Sequence, residues 1–208
     1  MMRKHAGSAV GLLLLLALPL RAAAGGGTLR ADPRQSDFSI YLYKGGVLGA
    51  FAEDHWLQAV RYLIEVEWDE EAPTQSRVRV SIPTEAVLVI DPKTTDLKRR
   101  DLQDRLESSR MLDVNRYNEI RFQSEKVERR AGNEFHVRGS LTMRDQRKPL
   151  ELDVVLERQG EIWRVRGEAS FRQSDFGIQP FTGFKGGVKT KDDVRVVFNI
   201  VLRPVSRP

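Results

Sequence analysis

The sequence predicts an all-β, antiparallel chain with one helix set among its strands, folded either as a two-sheet sandwich or as a closed barrel. Two observations carry that prediction. From Asp37 to Leu202, apolar residues recur at every second position in one segment after another, the spacing that turns one face of a strand to a core and the other to water. The segments are joined by short polar turns such as Ala131-Gly132-Asn133 and Gln159-Gly160, whereas a parallel crossover needs about a dozen residues or more.

The chain opens on MMRKHAGSAVGLLLLLALPLRAAAGGG. Arg3 and Lys4 precede an apolar run from Ala9 to Leu20 that is short for a bilayer crossing, and Ala22-Ala23-Ala24 follows. That order is expected of a cleaved secretory signal over residues 1–24, and with it a periplasmic or secreted location; the alternative is an uncleaved membrane anchor. The 208 residues include no cysteine, so an exported domain of this kind depends on its apolar core rather than on disulfides. One domain is expected, over residues 36–203. The formal net charge is +5, and residues 1–24 carry three of those charges on Arg3, Lys4 and Arg21 with no acid. Elsewhere acids and bases interleave, without the clustered positive face that a nucleic-acid partner requires.

Along the chain, Phe38, Ile40 and Leu42 share one face of the first segment. Tyr62, Ile64, Val66 and Trp68 form the next, followed by Val78, Val80 and Ile82 with Arg77, Arg79 and Ser81 turned away. DLKRRDLQDRLESS, from Asp96 to Ser109, then lengthens the period: Leu102 and Leu106 stack at i,i+4, Asp101 reaches Arg105, and Asp96 is expected as N-cap. Its apolar stripe is thin, which places the helix across the outside or the mouth of a sheet. Alternation resumes with Ile120 and Phe122, with Phe135, Val137, Leu141 and Met143, and with Leu150, Leu152, Val154 and Leu156. Trp163, Val165, Ala169 and Phe171 follow, and Val194 to Leu202 closes the series. Closure into a barrel removes exposed edges, and about eight strands leave an interior that side chains fill or one small ligand occupies. Bulky Trp163, Phe122, Phe135 and Phe198 mix with small Gly139, Gly167 and Ala169, which suits either outcome.

The stretch GFKGGVKT, from Gly183 to Thr190, is one residue away from a nucleotide-binding phosphate loop. Val188 stands where the last glycine must let backbone approach phosphate, and VRVVFNIVL follows as a strand where a helix has to begin. No nucleotide is therefore expected. Glu53-Asp54-His55 is the one local group of candidate metal ligands, and consecutive residues on a strand point to opposite faces, so no metal is expected there. His136 alternates with Phe135 and Val137 and is expected on the solvent side. G-x-S-x-G and H-E-x-x-H are absent, no catalytic residue is assigned, and the acids sit almost all at outward positions. The pattern is that of a binder rather than an enzyme.

Three stretches, in order, carry a resemblance: LESSRMLDVNRYNEIRFQSEKV (Leu106 to Val127), GSLTMRDQRKPLELDV (Gly139 to Val154), and SDFGI (Ser174 to Ile178) followed by DDVRVVFNIVL. Together they resemble the YceI-like family of bacterial, often periplasmic proteins. The chain departs from the family pattern at Asn118, where proline is usual, at Asp145, where glycine is common, and at Gln173, where arginine often precedes S-D-F-G. Glu53 and His55 take the places of a histidine pair that part of the family carries. The resemblance implies an antiparallel, eight-stranded, lipocalin-like β-barrel with one amphipathic helix inserted between strands, and an apolar interior that sheathes a lipid.

The expected ligand is an isoprenoid lipid or quinone, with no cofactor. At roughly 0.8 kcal/mol per buried CH₂, a few sheltered isoprene units supply useful affinity without any charge. The expected lining is Phe38, Ile40, Leu42, Ile64, Phe122, Val137, Leu152, Val154, Trp163, Val165 and Phe198, although pockets and ordinary cores use the same side chains. A transient contact with a membrane surface and a homodimer stay open. The alternatives are a filled barrel serving as an interaction or stress-response partner and, third, an enzyme acting on lipid through Glu53, Asp54, His55 or Asp175.

Overall fold

The computed structural model describes residues 26–48, 53–183 and 187–205. The expected signal over residues 1–24 lies outside the described residues, as do Phe184, Lys185 and Gly186 of GFKGGVKT. Alternation becomes strand in each segment where it was read, although Tyr62 falls just before its strand. The strands are β1 (Gly27–Ala31), β2 (Asp37–Gly45), β3 (His55–Ala59), β4 (Leu63–Trp68), β5 (Arg77–Pro83) and β6 (Val87–Val89). After helix α1 (Asp96–Glu107) come β7 (Glu119–Ala131), β8 (Glu134–Met143), β9 (Gln146–Gln159), β10 (Ile162–Arg172), the short β11 (Thr182–Gly183) and the long β12 (Val188–Pro204).

Eight of these strands close a ring of antiparallel pairs in the order β1, β4, β5, β7, β8, β9, β10, β12, with β12 pairing back to β1. The barrel that the resemblance implied is thus present, and its sheet begins at Gly27, upstream of Ser36. β12 has partners on both edges. One edge runs along β10 from Trp163↔Leu202 to Arg172↔Asp193; the other meets β2 through Phe198↔Phe38 and then β1 through Leu29↔Pro204.

A second tier grows from β2, which pairs with β3, which pairs with β6. There the ladder stops: among the described residues β6 has no further strand partner, and α1 lies against it. The Gln103 side chain supplies what a neighbouring strand would. Its Oε1 accepts from the Val89 N–H at 2.8 Å and its Nε2 donates to the Val87 carbonyl at 3.1 Å. Next to it, the Thr84 N–H donates to the Asn118 carbonyl at 3.0 Å, tying the bend before β6 to the lead-in of β7.

The helix itself forms much as its period implies. Leu106 is buried in the core, Leu102 packs against that core, and Asp101 pairs with Arg105 at 2.9 Å. The N-cap is Thr95 rather than Asp96, because the Thr95 hydroxyl is the oxygen placed to accept from the Lys98 N–H, while Asp96 turns outward to Arg99. The turn after β2 also meets the residue before β12: the Leu48 N–H donates to the Gly187 carbonyl at 2.7 Å, next to Gly46, whose φ of +86° suits glycine.

Candidate functional site: the barrel cavity

The inward faces of the strands enclose a cavity of about 230 Å³. Its long axis follows from the strands that build it. On β12 alone, Val194, Val196, Phe198, Ile200 and Leu202 line it at every second position, a run of roughly 27 Å at about 3.4 Å per residue. Two glycines keep the bore open to aromatic rings. Gly139 lies under the Phe122 ring and Gly167 under the Phe198 ring, each too close for a side chain to intervene.

The ends differ. At one end, which we call the floor, Trp68 packs on Trp163 with ring centroids 5.0 Å apart and on the edge of Phe135 at 6.2 Å. Arg158 lies 4.6 Å over Trp163 and Arg129 lies 5.1 Å over Phe135, so guanidinium groups face the water that the rings exclude. At the opposite end, the roof, Leu106 and Leu112 close over Met143, Phe176 and Ile178. Arg144 fastens this cover, donating to the carbonyls of Met111 at 2.8 Å, Ser109 at 3.0 Å and Gly177 at 3.2 Å.

Of the residues expected from the sequence, Phe38, Ile40 and Leu42 on β2, Ile64 on β4, Phe122 on β7 and Val137 on β8 line the cavity. So do Leu152 and Val154 on β9, Val165 on β10 and Phe198 on β12. Trp163 has the inward parity but stands off the wall, buried beneath Trp68 in the floor. Sequence reasoning passed over Leu112 and Met111, which reach the cavity from the irregular chain after α1 and leave no periodic trace. It also passed over the two polar wall residues, Ser76 and Gln173. Gln173 is 2% exposed, and its amide donates to the Lys191 carbonyl at 2.9 Å.

The polar groups considered for chemistry disperse. Glu53 pairs with Lys98, whose hydrogen bond and charge hold its carboxyl below the usual range; Asp54 accepts from the Lys44 N–H at 2.8 Å; and His55 Nδ1 meets Asp91 at 2.9 Å. Asp175 pairs with Arg172 on the outside. Among the described residues no cluster of three or more His, Asp or Glu is arranged to hold a metal. His136 is on the outer side of β8 as expected, but its side chain is only 11% exposed, because Asp153 at 2.7 Å and Glu151 at 3.4 Å cover both ring nitrogens.

The comparisons with known proteins agree with this architecture. A UPF0312 protein of Pectobacterium atrosepticum is 29% identical over 117 residues, covering 53% of this chain and 56% of the relative, and one from Pectobacterium carotovorum matches equally. The matched stretch thus spans little more than half the length of these curated relatives. BcnA of Burkholderia cenocepacia superposes with a TM-score of 0.67 at 18% identity, over 82% of this chain and 98% of its own. A Campylobacter jejuni YceI protein does so at 0.54 and 14%, over 73% of this chain and 85% of its own. At these identities the two structures speak for the fold. A family model described as YceI-like domain matches residues 30–202, and the chain belongs to that family.

Proposed function

We propose that this protein is an exported, non-catalytic carrier that holds one long apolar chain, of isoprenoid lipid or isoprenoid quinone type, inside its barrel. One observation carries the reading: among the described residues the cavity wall is apolar at every position except Ser76 and Gln173, so it offers a hydrocarbon chain everything and a charged substrate nothing. Each sheltered CH₂ contributes about 0.8 kcal/mol, which sums to useful affinity over a few isoprene units. The basic start, apolar run and alanine-rich end of residues 1–24 support export to the periplasm. The YceI-like fold supports lipid carriage by resemblance.

The test is to express the full chain with its leader, purify the exported form, extract it with organic solvent and identify co-purified lipid by mass spectrometry. A long-chain isoprenoid is expected in the extract. A saturating isoprenoid at about 100 times its Kd is expected to stabilise the delipidated protein by about 2.7 kcal/mol, a rise in Tm of roughly 5–10 °C. An empty extract together with an unmoved Tm overturns the reading.

A further inference from the structure

The two polar residues of the cavity wall stand at opposite ends. Gln173, near the roof, already donates to the Lys191 carbonyl. Ser76, at the floor, is different. The register that pairs β4 with β5 runs from Leu63↔Ser81 to Glu67↔Arg77, and one step further it sets Trp68 opposite Ser76 with both on the inward parity. Both residues line the cavity. Ser76 Oγ accepts from the Asp69 N–H at 3.1 Å, and among the described residues no acceptor receives its own proton. The Trp68 indole Nε1 is buried and, among the described residues, has no hydrogen-bond partner. Buried donors are seldom left unmatched, because the desolvation they suffer is not returned.

We propose that the floor is a seat for one neutral hydrogen-bond acceptor, the carbonyl or ether oxygen at the tip of an apolar chain, received by Trp68 Nε1–H and Ser76 Oγ–H. The inference rests on the chain-binding reading above and narrows it to ligands that carry such an oxygen and enter with it first. Both donors are neutral and among the described residues no charged side chain lines the cavity, so a carboxylate or phosphate tip would lose its hydration without a countercharge. An ester, ketone or quinone oxygen loses far less and regains it from the two donors.

The test compares methyl laurate with pentadecane, of equal heavy-atom count, by displacement of N-phenylnaphthylamine from delipidated protein. Three proteins are titrated: the unaltered chain, Trp68→Phe and Ser76→Ala. Each substitution is expected to weaken methyl laurate roughly three- to tenfold, the value of one hydrogen bond, while pentadecane changes less than about twofold. Pentadecane binding also reports that the fold and cavity survive. If Trp68→Phe loosens its packing on Trp163 and loses both ligands, Ser76→Ala decides alone. A selective loss of methyl laurate supports the seat. Equal changes for the two ligands in the deciding variants overturn the seat but leave chain binding intact, whereas failure of both ligands to bind the unaltered protein overturns chain binding itself.

Discussion

The ring of Phe198 fills the space that a side chain on its cross-strand partner Gly167 would need: a Cβ there would fall 2.9 Å from Phe198 Cζ and 2.6 Å from the Asp153 carbonyl oxygen. Phe122, two residues along β7 from Gly139's cross-strand partner Ser124, covers Gly139 in a similar way: a Cβ there would meet its Cζ at 2.7 Å and the Gln123 carbonyl at 2.3 Å. A ring can turn aside, but a laddered carbonyl moves only with its strand. Gly167→Ala and Gly139→Ala are each expected to destabilise by about 1–3 kcal/mol, read as a fall in Tm of roughly 2–4 °C per kcal/mol. Variants that melt like the parent would show that the ladder yields at these points.

Val165 faces the void and is only partly buried, so extra volume there displaces empty space rather than neighbours. Val165→Phe is expected to keep or raise the Tm of the ligand-free protein while abolishing uptake of a long-chain isoprenoid. The pairing of those two results separates cavity filling from misfolding, and calorimetry with a fluorescent lipid titration measures both.

The β8–β9 hairpin turns on Arg144 and Asp145, at φ of +50° and +59°, between the paired residues Met143 and Gln146. A two-residue turn with both centres at positive φ favours glycine, asparagine or aspartate. Asp145→Gly is therefore expected to stabilise by up to about 1 kcal/mol. Arg144→Ala keeps the Cβ and so relieves nothing at the positive φ, while three carbonyls of the roof lose their donor; a net loss of about 1–3 kcal/mol in urea unfolding is expected.

Burial pushes the Tyr62 phenol above its usual value of 10.0, helped by the charges of Asp37 and Asp32 and opposed by the Ser36 hydroxyl. The native state thus keeps a proton that the unfolded chain has lost above pH 10, so this contribution is complete below that pH and falls as pH rises through the folded pKa. Denaturant unfolding on either side of pH 10 is expected to show an alkaline loss that shrinks in Tyr62→Phe. Identical losses in the two proteins would assign the alkaline sensitivity to other groups.

How far the sequence reached can be seen strand by strand. β2, β4, β5, β7 to β10 and β12 each hold three or more apolar residues at alternate positions, or two beside a clear turn, and all were visible. β1 buries only Leu29, β6 is three residues long, and β3 reads as EDHWLQAV with its polar ends; none is long enough for a period to rise above noise. Parity found the cavity wall because alternation decides which side of a strand faces inward. It misplaced Trp163 because parity is silent about depth along the barrel axis. Ser76 and Leu112 escaped for the opposite reason: they reach the cavity from bends, where position in space is set by the fold and not by any local repeat.

Gln103 has a further consequence for how the barrel moves. Parting two laddered strands breaks a file of backbone bonds together, but among the described residues the helix is tied to β6 by two hydrogen bonds, both made by one amide side chain. The Val89 amide is therefore expected to exchange its hydrogen sooner than amides within the β8–β9 ladder. The same helix carries Leu106 of the roof, so the yielding edge lies at the roof end of the bore, beside the closed eight-stranded ring. A gap at that edge would unstopper one end of the bore while the aromatic floor stays shut, which is the opening that a chain entering tip first requires.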